Sequence, residues 1–381
     1  MCRWGSTSSK REYECSAEAV AYAENNTNDL WMTQPLPLFG SDLLHVTHQT
    51  DLACTDTCLP AFNPSIAVLP ASTLSLLRTL HPSSRYVASF RQLLGQCEKV
   101  PGDQHCPSHI EEWDPATVFA ILDAELGVLA HVRVVLTNAT LYLQDVRLHN
   151  LNGSLSLTFY TSYVNGDDQN SYVAAFGLSV VGDAVHGHID HVYPTPGLRN
   201  AGLVLYEDRL QFISWATQPV IVEPAVLPSD SPGEADGNLT AYGDIQRLPI
   251  IGYRGYDLHL NGSPLHVPQL GQLLLLTHTH SEVRPKWKSS STPLDGFDYF
   301  HHFVLFDDRP PWTARSMSSA WCFPAAENSS RCESIQFGMS LVLDADDNTT
   351  LLISYGVNDC SSRAARLPLL DALALARVRP L

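Results

Sequence analysis

Pairs of strand-like segments recur along the chain at intervals of roughly 60 to 80 residues, and each interval has room for four short strands. Units of this kind bury their faces against their neighbours, which favours a β-propeller over a β-sandwich. Five units fit the 381 residues, so the sequence predicts an all-β fold with a single five-bladed β-propeller domain over residues 56–381. The segments lie near residues 63–91, 145–163, 203–223, 272–306 and 337–357.

Three kinds of segment fall outside this pattern. Residues 1–55 show no clear period and several polar clusters, and we expect an irregular N-terminal extension there. Helical patterns are few, at residues 71–80 and 369–377. The His-rich segment Ala184–His191 predicts a solvent-exposed loop.

The clearest hairpin lies at residues 141–163, where apolar residues alternate on both sides of Asn152-Gly153, a strong turn signal. Asp145 and Arg147 lie two residues apart on its first strand, so both side chains should point to the same face. An acid and a base placed in this way can form a site at the end of a strand. The same spacing is also typical of a surface ion pair, which contributes less than about 1 kcal/mol.

The charge balance restricts the possible partners. Asp and Glu number 40 against 23 Lys and Arg, a net charge of −17. Nucleic acids and anionic membranes both require a basic surface, so we expect no nucleic-acid partner. No apolar run approaches the about 20 residues of a membrane-spanning helix, so we expect no membrane span in this chain.

Glycosylation signals indicate the compartment. Seven Asn-x-Ser/Thr sequons exceed the roughly two expected by chance and favour the secretory pathway, in the Golgi lumen or outside the cell, although no targeting segment is visible. A cytosolic protein rich in Asn turns is the alternative. The sequons are at Asn25, Asn138, Asn152, Asn238, Asn261, Asn328 and Asn348.

Cysteine spacing favours the same compartment. Six of the nine cysteines fall into three local pairs that disulfides could close into short loops. Zinc binding is the rival interpretation, but no CxxC occurs and no two pairs share the spacing of a metal site. The pairs are Cys54 with Cys58, Cys97 with Cys106, and Cys322 with Cys332.

The order of several short motifs resembles that of the five-bladed β-mannoside phosphorylases, the mannosyltransferases related to them, and propeller domains found beside bacterial glycosyltransferases. The resemblance runs from Phe62 to about Leu370. Gln144 and Val146 stand where the family has Glu and Pro. The motifs are Asn63-Pro64 before a strand ending at Arg91, Gln144-Asp145-Val146-Arg147, Arg199-Asn200, Tyr253-Arg254-Gly255 before His278-Thr279-His280, and Phe337-Gly338 before Tyr355-Gly356 and Asp359.

The resemblance implies chemistry at a glycosidic bond, which requires an acid for the leaving oxygen and a nucleophile on the opposite face of the sugar. A phosphorylase needs one acid only, because phosphate is itself the nucleophile and cationic groups hold it. By the resemblance, Asp145 would be the catalytic proton donor or a sugar-binding acid. The implied substrate-binding residues are Arg91, Arg147, Arg199, Arg254, His278, His280, Tyr299, His301 and Asp359.

The expected function is therefore that of a glycoside phosphorylase or glycosyltransferase-like protein that binds carbohydrate, needs no cofactor and uses inorganic phosphate or a sugar phosphate as co-substrate. A glycosyltransferase domain or partner is a further expectation. The alternative is a catalytically inactive propeller that binds glycans or a partner glycosyltransferase, which the changed Gln144 and Val146 favour. His278-x-His280 and His301-His302 could also ligate a metal, but histidines in a polar funnel without metal are expected.

Overall fold

The computed structural model describes residues 2–7, 10–15, 48–52, 61–93, 115–136, 143–162, 169–195, 200, 202–207, 209–213, 222–225, 259–282, 297–309, 314–319, 321–324, 336–357, 361–377 and 379–380. Within these ranges the chain is mostly β-structure, which confirms the all-β prediction. The two helices within the described ranges, α1 (Ala71–Leu77) and α2 (Leu369–Ala376), lie where helical patterns were predicted.

Most of the described strands belong to five groups that we call meanders 1 to 5. Meander 1 consists of β4 (Ala61–Val68), β5 (Tyr86–Leu93), β6 (Pro115–Leu122) and β7 (Val128–Leu136). Meander 2 consists of β8 (Gln144–Leu151), β9 (Ser154–Ser162), β10 (Gln169–Val181) and β11 (Ala184–Thr195). Meander 3 consists of β12 (Gly202–Tyr206), β13 (Arg209–Ile213) and β14 (Val222–Ala225).

The remaining strands complete the C-terminal half of the fold. Meander 4 consists of β15 (His259–Leu260), β16 (Leu265–Val267), β17 (Gln272–Glu282), β18 (Phe297–Asp307), β19 (Ala314–Met317) and β23 (Arg379–Pro380). Meander 5 consists of β20 (Gln336–Leu343), β21 (Thr350–Val357), β22 (Ser361–Pro368) and β3 (His48–Leu52). A separate hairpin pairs β1 (Cys2–Thr7) with β2 (Lys10–Cys15).

Strand β3 corrects the prediction of an irregular N-terminal extension. It pairs antiparallel with β22, with Leu52 opposite Ser362, and so adds the fourth strand to meander 5. The sequence His-Gln-Thr-Asp-Leu lacks the alternation of apolar residues that marks a half-buried strand, so its pairing could not be read locally. The β1–β2 hairpin is likewise regular, and the division of the chain at residue 55 stays a prediction.

Strand β11 corrects a second prediction, that of an exposed loop at Ala184–His191. The segment pairs antiparallel with β10 and parallel with β7, with Val185 opposite Val132. The parallel pairing joins meanders 1 and 2 into one eight-stranded sheet. Val185 and Ile189 are buried while the histidines between them are only partly buried, which is the alternation of a strand with one face on the core.

Among the described residues, apolar side chains form clusters between meanders 1 and 2, 3 and 4, and 4 and 5, and between the last meander and the first. Burial of apolar surface is the main stabilising term of such an arrangement, at about 25 cal/mol per Å². Representative members of a shared cluster are Phe119 and Phe176 between meanders 1 and 2, Val204 and Leu260 between 3 and 4, Leu276 and Ile353 between 4 and 5, and Leu352 and Ile66 between 5 and 1.

The first strands of meanders 1, 2 and 5 share a local irregularity that positions the site. Each strand carries one extra residue relative to its partner, a β-bulge, which re-aims the side chains beside it. The bulges lie between Phe62 and Ser65, between Gln144 and Arg147, and between Gly338 and Ser340.

Two hydrogen bonds recur at the interfaces of meander 5 with 1 and of meander 1 with 2. In the first, the serine that follows a bulge accepts a hydrogen bond from a backbone N–H of the next meander. In the second, a serine on the second strand donates to a carbonyl within the next meander's bulge. The bonds are Ile66 N to Ser340 Oγ (3.0 Å), Leu148 N to Ser65 Oγ (2.9 Å), Ser354 Oγ to Pro64 O (2.5 Å) and Ser89 Oγ to Val146 O (2.9 Å).

Candidate functional site

Asp145 occupies the bulge of β8 and is buried, with 8% of its surface exposed. Its φ of 44° lies in the left-handed region, which Asp tolerates better than most residues. Its Oδ1 accepts hydrogen bonds from Asn63 Nδ2 at 3.0 Å and from Arg91 Nη1 at 3.3 Å. The carboxylate is therefore fixed by residues of meander 1.

The surroundings of Asp145 keep it ionised. Burial alone would raise the pKa of this carboxyl, but the positive charges of Arg91 and Arg147 and hydrogen bonds from Asn63 and Tyr160 outweigh burial and hold the pKa below its usual value. At neutral pH Asp145 is a hydrogen-bond acceptor.

Arg147, the next charged residue on β8, is almost fully buried, at 2% exposure. Its Nη2 donates to Asn200 Oδ1 at 2.5 Å, and its guanidinium carbon lies 5.7 Å from the centre of the Phe337 ring. Burial lowers the pKa of Arg147 to about 10, so the side chain stays charged at neutral pH. Its Nε has no hydrogen-bond partner among the residues the structure describes.

Arg147 departs from the repeated structural pattern. It follows the bulge of β8 at the position that Ser65 and Ser340 occupy in meanders 1 and 5, where the hydroxyl bonds to the next meander's backbone. A buried arginine costs several kcal/mol of desolvation, whereas a serine would fit the interface. The replacement of a structural serine by a buried cation points to a functional role.

A group of aromatic and imidazole rings adjoins Arg147 through Phe337. The Phe337 ring contacts His278 edge-on at 4.9 Å and Tyr299 at 5.5 Å between centroids. His278 is buried and hydrogen-bonds through Nδ1 to Asn261 Oδ1. The rings of meanders 4 and 5 and the charged residues of meanders 1 and 2 thus form one continuous cluster.

His301 belongs to the same group but is fully buried. Its Nε2 accepts the Gly338 N–H at 3.1 Å, and its ring stacks on Trp321 at 5.1 Å. Burial and the neighbouring His302 lower the pKa of His301 to about 3, so the imidazole is neutral. It supports the bulge of β20 beside Phe337, and its substrate-binding role stays a prediction.

The structure brings together five of the predicted site residues, Asp145, Arg91, Arg147, His278 and Tyr299, with His301 behind them. The backbone of His280 lies on β17 opposite Tyr299, but its side chain is outside the described residues. Arg199, Arg254 and Asp359 also lie outside them. The sequence interpretation missed Asn63, Asn200, Asn261 and Tyr160 as site residues, although Asn63 and Asn200 stand within the motifs that carried the resemblance.

Asn261 also corrects the count of glycosylation sites. It is 1% exposed and bonded to His278, so its amide cannot accept a glycan in the folded protein. Asn152 and Asn348 are exposed in turns, as a glycosylation site requires. Asn25, Asn138, Asn238 and Asn328 lie outside the described residues.

Two further features bear on ligands and compartment. Among the residues that the structure describes, no group of three His, Cys, Asp or Glu side chains could hold a metal ion, and no helix is long and apolar enough to cross a bilayer. Cys322 is buried and disulfide-bonded, while Cys332, its predicted partner, lies outside the described ranges, so that pairing stays a prediction. The other two predicted pairs also lie outside them.

Substituting Gly356 should test how tightly Asn63 is held against Asp145. A Cβ at Gly356 would lie 2.9 Å from the Asn63 backbone N and would clash with Asn63 Oδ1. We expect Gly356→Ala to lower the free energy of unfolding by about 1 to 3 kcal/mol in urea denaturation. Gly177→Ala is the matched control, because a Cβ there meets nothing within 4 Å, and equal stability of the two variants would contradict the close packing.

Comparison with known proteins identifies solved structures that share this fold. No protein-family model and no curated protein matches the sequence. Solved structures do match: a mannose phosphorylase from Leishmania mexicana, in complex with phosphate ion, shares 12% identity, with 88% of this chain and 92% of that chain covered at a TM-score of 0.50. The resemblance found in the motifs is thereby confirmed at the level of the fold.

Two more structures share this fold. A GDP-Man-dependent mannosyltransferase from Leishmania mexicana is 12% identical, covers 88% of this chain and 94% of its own, and has a TM-score of 0.51. A glycosyl hydrolase from Bacteroides ovatus is 11% identical, covers 91% and 98%, and has a TM-score of 0.50. The fold is thus common to proteins that cleave glycosidic bonds and a protein that transfers a sugar.

Proposed function

We propose that the chain is a five-bladed β-propeller that acts on glycosidic bonds as a glycoside phosphorylase or glycosyltransferase-like enzyme. Each meander would be one blade, and β3 would complete the last blade. The apolar contacts and repeated serine hydrogen bonds between meanders 5 and 1 support a closed ring. The proposed partners are a carbohydrate and either inorganic phosphate or a sugar phosphate.

The observation that carries this proposal is the buried cation Arg147. Among the residues that the structure describes, Arg147 has one carboxylate nearby, Asp145, which also bonds to Arg91, and it contacts a neutral amide and an aromatic ring. A buried cation is costly unless an anion compensates it. A phosphate group matches the planar donors of arginine and would supply that anion.

The charge state of Asp145 suggests how the acid would act. In the free protein its lowered pKa suits a carboxylate that accepts hydrogen bonds from sugar hydroxyls. A phosphate bound beside Arg147 would neutralise the arginine and raise the pKa of Asp145 through like-charge repulsion. Asp145 would then take up a proton from solvent, and it would give that proton to the leaving oxygen as a phosphate oxygen bonds to the anomeric carbon and the glycosidic bond breaks.

We propose the following roles for the other predicted site residues. Arg254 and His278 or His280 would contact the phosphate, and Tyr299 would line the sugar site. Arg199 would lie beside Asn200, and Asp359 would bind sugar hydroxyls or fix the last blade. We propose His301 as a support of Gly338, because its fully buried ring is already bonded to that backbone.

Asp145→Asn tests the proposal. With a panel of mannosides and inorganic phosphate, the wild type should form sugar 1-phosphate, and the variant should do so about 10² to 10⁴ times more slowly. Phosphate should bind the variant about 3- to 10-fold more tightly, because a neighbouring negative charge is gone. Coupled phosphorylase assays and calorimetry measure the two effects, and equal rates would remove Asp145 from the mechanism.

A binding protein without catalysis is the second candidate. Gln144 and Val146 in place of Glu and Pro, together with the low pKa of Asp145, favour it. Such a protein would bind mannosides or a partner glycosyltransferase in calorimetry without turning a substrate over. For either function we propose the secretory pathway, and a mass loss at Asn152 or Asn348 on enzymatic deglycosylation would support that location.

A further inference from the structure

His149 is a second departure from the repeated structural pattern. It lies two residues after Arg147 on β8, where the equivalent residues of meanders 1 and 5 are Ala67 and Val342. His149 is 1% exposed. A buried imidazole in place of an apolar side chain is stable only if both ring nitrogens find partners.

Both partners are present and they belong to different meanders. His149 Nε2 lies 2.9 Å from Thr158 Oγ1 on β9, which is the position that pairs with Arg147 across the hairpin. His149 Nδ1 lies 2.5 Å from Ser263 Oγ, in the segment between β15 and β16 of meander 4. The imidazole therefore ties β8 to meander 4.

Thr158 takes part in the same departure. Its equivalents Ser89 and Ser354 donate to the bulge of the next meander, whereas Thr158 bonds to His149 instead. Arg147, His149 and Thr158 thus depart from the structural pattern together. Burial, with the nearby charge of Arg147, lowers the pKa of His149 to about 3. The imidazole is therefore neutral at neutral pH and adds no positive charge beside the arginine.

We propose that His149 is a positioning residue for Arg147, and this inference rests on the proposed function. The bulge interrupts the β8–β9 hydrogen-bond ladder just before Arg147. The bond from His149 to Ser263 fixes the strand just after it, so the guanidinium is held between Asn200 and Phe337, where it meets the phosphate group. Small misplacements of such a group reduce binding and rate by large factors.

Two substitutions of His149 separate the bonds. The Asn amide reaches the place of Nδ1 and keeps the Ser263 contact, whereas the Gln amide reaches the place of Nε2 and keeps only the Thr158 contact. We expect His149→Gln and Ser263→Ala to weaken inorganic phosphate binding by about 10- to 100-fold. His149→Asn should stay within about threefold of the wild type.

The probe is inorganic phosphate, titrated by calorimetry into the full chain, with the KM for phosphate and kcat as second readouts. A positioning role raises KM for phosphate more than it lowers kcat. Ser340→Ala is the matched control, because it removes a buried hydroxyl that joins meanders 5 and 1 and should lower stability without changing phosphate affinity.

The outcomes distinguish this inference from the proposed function. Wild type that binds phosphate, with His149→Gln and Ser263→Ala binding it equally well, would overturn the positioning role and leave the proposed function standing. Wild type that binds neither inorganic phosphate nor a sugar phosphate would overturn both. If His149→Gln does not fold, Ser263→Ala decides, because it removes one hydroxyl from a partly buried position and leaves His149 in place.

Discussion

A chain carrying Arg147→Met should bind inorganic phosphate at least about 100-fold more weakly than the wild type, yet unfold with an equal or larger free energy. The first effect follows because Arg147 is the buried cation proposed to meet the anion. The second follows because methionine fills a similar volume without the desolvation cost, while Asp145 keeps its bonds to Asn63 and Arg91. Calorimetry and urea denaturation in phosphate-free buffer measure the two quantities.

Arg315→Met is the control for that prediction. Arg315 is 56% exposed and pairs with Asp307 at the surface, so its loss should change stability by less than about 1 kcal/mol and phosphate affinity not at all. A fall of about 3 kcal/mol or more in the stability of Arg147→Met would show that Arg147 is part of a structural ion-pair network. Its burial would then need no ligand to explain it.

Lowering the pH from 7.5 to 5 should destabilise the protein by about 4 kcal/mol through two buried histidines. Burial lowers the pKa of His149 and His301 from 6.5 to about 3. Between these values the unfolded chain binds protons that the folded chain excludes. Stability is therefore fully present above pH 6.5 and falls as the pH drops toward 3, by about 2 kcal/mol per histidine at pH 5.

The double variant His149→Asn and His301→Gln should lose most of that dependence. We expect these two positions to contribute no more than about 1 kcal/mol to the change in its free energy of unfolding between pH 7.5 and 5, measured in urea at several pH values. Gln at position 301 can still accept the Gly338 N–H. The exposed His131→Gln is the control, and a slope in the double variant as steep as in the wild type would contradict the prediction.

The sequence predicted the repeating strand pairs because their signals are local. Alternation and the Asn152-Gly153 turn mark the β8–β9 hairpin within about twenty residues, and the structure has that hairpin. Asp145 and Arg147 were found in the same way. The positions of these two side chains depend on the bulge between Gln144 and Arg147 as well as on the alternation of a regular strand. A bulge has no clear signal in the local sequence.

The rest of the site depends on contacts between distant residues. Asn200 contacts Arg147 from 53 positions away in the sequence, and Ser263 contacts His149 from 114 positions away. Neither contact can be predicted from a local sequence pattern. For the same reason the burial of His301 and its bond to the Gly338 N–H could not be predicted from the sequence. The polar strand β3 was missed because its partner is fixed by the whole fold and not by its own residues.

The pairing of β3 with β22 has a consequence for how the protein is made. The two strands lie about 300 residues apart, so a ribosome adding about 5 to 20 residues per second needs roughly 15 to 60 seconds to deliver the second after the first. During that time His48–Leu52 lacks its partner strand β22, and the two strands can pair only late in synthesis. Mutations that weaken the pairing of β3 with β22 should therefore lower the yield of folded protein during biosynthesis before they change the properties of the folded protein.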